Sequence, residues 1–329
     1  MTALAPTLEA FFTDRLARQR QVSPHTVAAY RDTFRLLINF IETSTGKSPC
    51  NIDFADLDAP LIGAFLEHLE SDRGNSVRTR NARLAAVHSL FNYAALRHPE
   101  HAALIARVLA IPAKRFERAL VRFLTAPEVD ALLAAPDPAT WLGRRDHALL
   151  LVAIQTGLRV SELTGLRRDD LHLGVGAYVR CHGKGRKERI TPLTTQVVQV
   201  LRGWQQERAA ADTDPVFPTT RGGRLSRDAV QKLLTKHAMV AELTCPSLHG
   251  KQLSPHTLRH TAAMRLLQAG VDTTVIALWL GHEQVNTTAI YLHADLTIKE
   301  RALARTAPAN VTPGRYIAPD SLRAFLEGL

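Results

Sequence analysis

The apolar positions in the first third of the chain recur at helical rather than strand spacing. Val27, Tyr30, Phe34, Leu37, Ile38 and Ile41 lie on one face of a 3.6-residue repeat. Ser23-Pro24 opens this run. The hydroxyl can accept from an orphan backbone N–H, and the fixed φ of proline suits a first helical turn. Residues 43–49 break the pattern, and 59–69 and 77–96 resume it, the latter with Leu84, Val87, Leu90 and Phe91 turned inward. Residues 1–112 are therefore expected to form a nearly all-helical domain.

Residues 113–122 carry Lys114, Arg115, Arg118 and Arg122 and read as a basic linker. Thr125 and Glu128 then have capping-box spacing and open a second domain, expected over 123–300. Its helices are expected at 127–134, 144–155, 197–210 and 226–240. Between them, 177–182 and 188–192 have strand character, with 183–187 as the turn. Ser254-Pro255 starts another helix that Gly270 follows, with Leu258, Ala262 and Leu266 toward the core. Asp272 caps the next helix, Gly281 ends it, and 286–288 can start a helix carrying Tyr291. The expected fold class is mainly α: a helical first domain, then a mostly helical second domain with a small antiparallel sheet. In the tail, 301–329, Leu322, Phe325, Leu326 and Leu329 share one side of a short final helix capped at 320–321.

Charge narrows the partner. The 329 residues include 41 basic and 31 acidic side chains, a formal net charge of +10. That excess favours a polyanion, bound in a salt-dependent way through counterion release. Cys50, Cys181 and Cys245 are scattered without metal-ligand spacing, which fits a reducing cytoplasm and no disulfide framework. The N-terminus has no signal-type apolar core, and no apolar run approaches the ~18 residues that span a bilayer.

Against this background a set of polar groups stands at fixed intervals. It comprises Arg159 within 156–163, Lys184 between two glycines, His256 and Arg259 three apart, His282 after a Leu-Gly pair, and Tyr291. A phosphodiester under attack builds charge on its non-bridging oxygens, and fixed guanidinium forks stabilise that charge. Arg159 and Arg259 suit this task. Lys184 at a hairpin tip suits proton delivery to a leaving sugar oxygen. The Tyr291 phenol, with an unperturbed pKa of ~10, suits nucleophilic attack once a base or a positive pocket activates it. His256 and His282 can hold phosphate oxygens or help move that proton.

Each group has a plainer reading. Arg159 can pair with Glu162 one turn away, Lys184 can be a tip charge with Arg186 and Lys187 as rivals, and Tyr291 and Trp279 can be core aromatics. His256 and His260 have a spacing that can bind zinc, but Arg259 would repel the cation and no carboxylate or cysteine completes a set. No metal site is expected, and His260 and His293 read as structural. Arg78, Arg80 and Arg83 border the apolar face of 77–96 and can either grip phosphates or form a solvated helix face.

The ordered set resembles the tyrosine recombinase, or phage integrase, family, with a likeness over roughly 10–300. The matching boxes are Thr-Gly-Leu-Arg-x-Ser-Glu-Leu, Gly-Lys-Gly, His-x-x-Arg, Leu-Gly-His and the tyrosine. The resemblance implies a two-domain DNA clamp. It implies Arg159, Lys184, His256, Arg259 and His282 around a scissile phosphate, with Tyr291 as nucleophile, Glu162 in support and a transient 3′-phosphotyrosyl link. Neither a metal nor a nucleotide cofactor is needed if that link preserves the bond energy. Double-stranded DNA is the implied partner, contacted also by Lys114, Arg115, Arg186 and Lys187. The likeness also implies a homotetramer on paired sites and sister recombinases or DNA-bending proteins as further partners; the tail helix either docks on its own domain or, as the likeness suggests, inserts in a neighbouring protomer. The arginine- and alanine-rich style and long tail favour a mobile-element integrase or transposase over a chromosome-dimer resolvase of Xer type. A type IB topoisomerase and a non-catalytic DNA binder fit less well. A cytoplasmic, nucleoid-associated location follows from that role.

Overall fold

The computed structural model describes residues 3–116, 121–182, 188–207, 214–281, 288 and 291. The chain divides into two compact units, Met1–Arg118 and Ala119–Leu329.

The named elements of the first unit are all helices. Helix α1 (Leu4–Ala10) runs into a π-helical stretch, Phe11–Gln19. Four longer or shorter helices follow: α2 (Pro24–Thr45), α3 (Ala59–Ser71), α4 (Val77–Ala94) and α5 (Ala102–Leu109). Ser23, Asp58 and Ser76 cap α2, α3 and α4 through their side chains. Phe34, Leu37, Ile41, Leu84, Val87, Leu90 and Phe91 are buried in one cluster, against which Tyr30 and Ile38 are partly buried. The basic segment after α5 is fastened to this unit rather than free. Lys114 N donates to Asn81 Oδ1 at 3.1 Å, Asn81 Nδ2 donates to Lys114 O at 2.8 Å, and Lys114 Nζ meets Glu70 at 2.6 Å.

The second unit begins on its own core: Leu124 N donates to Thr261 Oγ1 at 2.9 Å, and Val121 and Phe123 pack beside it. Thr125 and Glu128 form the expected capping box of α6 (Ala126–Ala134). Glu128 is buried and also takes Ser247 Oγ and Lys251 Nζ, each at 2.6 Å. Helix α7 (Trp141–Thr156) is the central element, buried along most of its length. Its Arg145–Asp146 pair reaches Pro218 O at 3.0 Å and His237 at 2.9 Å, so a buried polar network joins α7 to α10 (Arg227–Glu242). Helix α8 (Val160–Gly165) precedes the sheet, α9 (Thr195–Glu207) follows it, and α11 (Pro255–Gln268) and α12 (Thr273–Leu280) complete the described helices.

The sheet has three antiparallel strands in sequence order, β1 (Leu171–His172), β2 (Tyr178–His182) and β3 (Glu188–Pro192). Strand β1 was not expected. In the register Arg180 faces Ile190 and Cys181 faces Arg189. The result is a mainly α protein with a small antiparallel sheet. One expectation shifts by a residue: Leu267 is the buried leucine at the end of α11, and Leu266 is half-buried. Among the described residues no helix is long and apolar enough to cross a membrane.

The turn after α7 constrains sequence tightly. Gly157 caps the helix at φ +65°, and a Cβ there would lie 2.6 Å from Leu280 Cδ2 and 3.1 Å from Ala262 Cβ. Left-handed backbone and this crowding both oppose a side chain. Gly157→Ala is expected to cost about 2 kcal/mol, read as a lower urea midpoint with unchanged slope.

Candidate active site

Two helix ends build the site. Gly157 ends α7 and Gly281 ends α12, both in left-handed conformation. The carbonyls at such ends lack helical partners and carry the negative pole of the helix. Arginines fill them. Arg259 Nη1 donates to Gly157 O and its Nη2 donates to Leu280 O, each at 2.7 Å. Arg159 Nη2 donates to Gly281 O at 2.9 Å. Arg259 is buried at 5 % exposure, whereas the Arg159 side chain keeps 37 %.

Ser254 caps α11 with Pro255 in the first turn, which starts the helix just before His256 and Arg259. Arg159 stands at the N-terminus of α8 in extended conformation, and Glu162 one turn on accepts from its backbone N–H at 2.8 Å. Glu162 Oε1 also takes Arg159 Nη1 at 3.1 Å. Burial would raise the Glu162 carboxyl, but Arg189 and Arg159 hold it below the usual carboxylate range. The Arg189 guanidinium grips both Glu162 oxygens, at 2.9 and 2.7 Å.

Positive charges crowd this region. Burial and the nearby Arg159 push Arg259 down to about 10, so it remains charged at neutral pH. Partial burial and the charges of Arg227, Arg259 and Arg159 lower His256. Tyr291 is 2 % exposed, and its hydroxyl lies 3.0 Å from His260 Nδ1. Burial raises the phenol and the Arg259 charge opposes that rise. Burial, with His256 and Arg259 nearby, pushes His260 down to about 4, so its ring is neutral at pH 7. In the Nε2–H tautomer that ring accepts the phenol hydrogen at Nδ1.

The low His260 value has a consequence for stability. Between pH 6.5 and about 4 the unfolded chain takes up a proton that folded His260 refuses. The unfolded state then binds more protons, so stability falls as pH drops through that window and is fully present above it. Urea midpoints measured from pH 7 to pH 4 should fall less steeply for His260→Asn than for the unaltered chain.

The structure thus brings together Arg159, Glu162, His256, Arg259 and Tyr291. Lys184, Arg186, Lys187, Arg118, His282 and the tail lie outside the described residues. Three residues near the site escaped sequence reasoning. His260, expected to be structural, lies 3.0 Å from the Tyr291 hydroxyl. The signal was present, because His260 follows His256 by four residues and so shares its helix face. Arg189 and Arg227 come from elements distant in sequence, and no local spacing marks them.

The candidate DNA-contacting residues of the first unit have varied surroundings. Arg78 is exposed, with its guanidinium 5.3 Å from the centroid of the Phe116 ring. Arg83 is half-buried and lowered by burial and by Arg73. Lys114 pairs with Glu70, and Arg115 is exposed. Arg80 does not face solvent: it is 6 % exposed, and its Nη1 donates to Pro112 O at 3.2 Å. It sits four residues before Leu84, on the inward stripe of α4, and anchors the segment that leaves the unit. Among the described residues no group of three or more His, Cys, Asp or Glu side chains is placed to hold a metal ion.

Comparison with known proteins decides the family. The phage integrase family model matches residues 122–297, and the phage integrase N-terminal SAM-like domain matches residues 10–98. This chain belongs to the phage integrase family. It is accordingly a tyrosine recombinase, an enzyme of the site-specific recombinase class. A Sinorhizobium fredii protein named "Putative integrase/recombinase y4rC" is 59 % identical over 327 residues, covering 99 % of this chain and 98 % of that one. The tyrosine recombinase XerC of Pelobacter propionicus is 34 % identical over 299 residues, 91 % of this chain and 94 % of the relative. The fold is similar to that of the XerH site-specific recombinase, solved with palindromic difH substrate in a post-cleavage complex. That likeness has a TM-score of 0.67 at 21 % identity, over 87 % of this chain and 81 % of the other.

Proposed function

We propose that this integrase-family chain cleaves and rejoins double-stranded DNA through Tyr291, in the integration or transposition of a mobile element. The observation that carries the reading is the Tyr291 hydroxyl on His260 Nδ1, one residue along α11 from the carbonyl-anchored Arg259. The phenol oxygen attacks the scissile phosphorus, and the 5′ sugar oxygen leaves with a proton from Lys184. The product is a 3′-phosphotyrosyl bond, which the second strand's 5′ hydroxyl later reverses. Arg159 and Arg259 hold the non-bridging oxygens as charge grows there, and His256 and His282 complete the phosphate cradle. His260 accepts the phenol hydrogen before attack. Tyr291 is sheltered in the free chain, so DNA binding must bring its hydroxyl to the phosphate. Glu162 supports Arg159. Arg78, Arg83, Lys114, Arg115, Arg186 and Lys187 supply backbone contacts. A tetramer assembled on paired sites, with tail helices exchanged between protomers, belongs to the same reading.

The 59 % relative named for integration favours the mobile-element role. The XerC relative, matched over 91 % of this chain, favours a second reading in which the same chemistry resolves chromosome dimers. Incubation with a nicked duplex that loses its 5′ hydroxyl after cleavage traps any covalent adduct. The cognate site is sought first in DNA flanking the gene. A DNA–protein band on a denaturing gel is expected; no band on any flanking site rejects the reading.

A further inference from the structure

Glu162 lies beside a cation that must stay available to phosphate, and its carboxylate is shared unequally. Arg189 takes both oxygens, at 2.9 and 2.7 Å, from a side chain 13 % exposed. Arg159 reaches only Oε1 with its guanidinium, at the longer distance of 3.1 Å. Its other terminal nitrogen is held by Gly281 O. Arg189 is also wedged against the same turn: a Cβ on Gly281 would lie 2.9 Å from Arg189 Nη1. A carboxylate satisfied by a bidentate fork has little left with which to draw a second guanidinium away from an incoming anion.

We propose that Arg189 is a positioning residue for strand cleavage: by occupying Glu162 it keeps Arg159 directed at the scissile phosphate and the local charge positive. This rests on the reading that Arg159 binds that phosphate. Charge arithmetic makes it specific. Arg159, Glu162 and Arg189 together carry +1. Without Arg189 the remaining pair is neutral, and Glu162 closes on Arg159 as a one-to-one salt bridge. The phosphate then meets a neutralised clamp. Neutralising Glu162 in that background restores +1 and releases Arg159.

The test compares single-turnover cleavage of the nicked duplex by the full-length chain and its variants. Arg189→Ala should slow adduct formation by roughly 100-fold, with duplex affinity far less affected. The double variant R189A/E162Q should recover at least about tenfold of that loss. A residue needed only for packing would not be rescued by removing a second side chain. Should Arg189→Ala fail to fold, Arg189→Gln carries the same charge argument, and the same rescue by Glu162→Gln is expected. Wild-type cleavage rates in the single variant, a double variant no faster than the single, or loss of fold in both singles that E162Q does not relieve would each overturn the proposal. Failure of the underlying reading looks different: the unaltered chain gives no adduct, or Arg159→Ala gives as much as the unaltered chain.

Discussion

The Tyr291→Phe variant is expected to bind a cognate duplex and leave no covalent protein–DNA adduct. The substitution removes one oxygen from a ring that is otherwise buried among Ala263, Met264, Leu267, Ile276 and Leu280. Packing is retained, so the fold should survive. On the proposed reading the nucleophile is lost outright, and removing a nucleophile costs on the order of 10⁶ in rate where that has been measured. The oxygen is also the partner of His260 Nδ1. Thermal stability should fall by about 1 kcal/mol, the worth of one ordinary hydrogen bond. An adduct of undiminished yield from Tyr291→Phe would place the nucleophile elsewhere in the chain.

Arg259→Ala should act on cleavage and on folding together. Its guanidinium joins the carbonyl of Gly157 to that of Leu280, 123 positions further along the chain, with 2.7 Å bonds on both sides. Truncation leaves two carbonyls short of a donor in a buried site, a penalty of about 1–3 kcal/mol for each. On the proposed reading it also removes a fixed charge from the developing transition state, worth roughly 10³-fold in rate. Arg259→Lys separates the two losses. An ammonium keeps the charge, but one compact head lacks the planar fork that spans both carbonyls. Stability should be partly restored while cleavage stays low. Cleavage by Arg259→Lys equal to that of the unaltered chain would show that charge alone suffices and that the fork geometry is dispensable.

Much of this was legible in the sequence, because local signals carried it. Capping pairs such as Thr125 with Glu128, and Ser254 ahead of Pro255, set helix starts. Glycines at 270 and 281 set helix ends. The i, i+3, i+4 stripe of α4 gave its buried face correctly, and followed one turn back it would have placed Arg80 inside. Strand β3 shows where such reading stops. Its binary pattern is inverted, with Ile190 60 % exposed while Arg189 and Thr191 point inward. An apolar-in rule would have turned Arg189 to solvent. What turns it inward is a carboxylate 27 positions earlier and a register set across β2, and neither is visible to a window of neighbouring residues. The His260–Tyr291 contact is invisible to such a window for a related reason: the two are 31 positions apart.

The glycine-capped ends of α7 and α12 bear on more than geometry. A helix terminus is where fraying begins, yet here each final turn is stitched to an arginine of the proposed phosphate clamp. Fraying of either terminus would therefore disarm that proposed clamp before the rest of the domain loosened. On the proposed reading, cleavage competence becomes a readout of local order at these two ends.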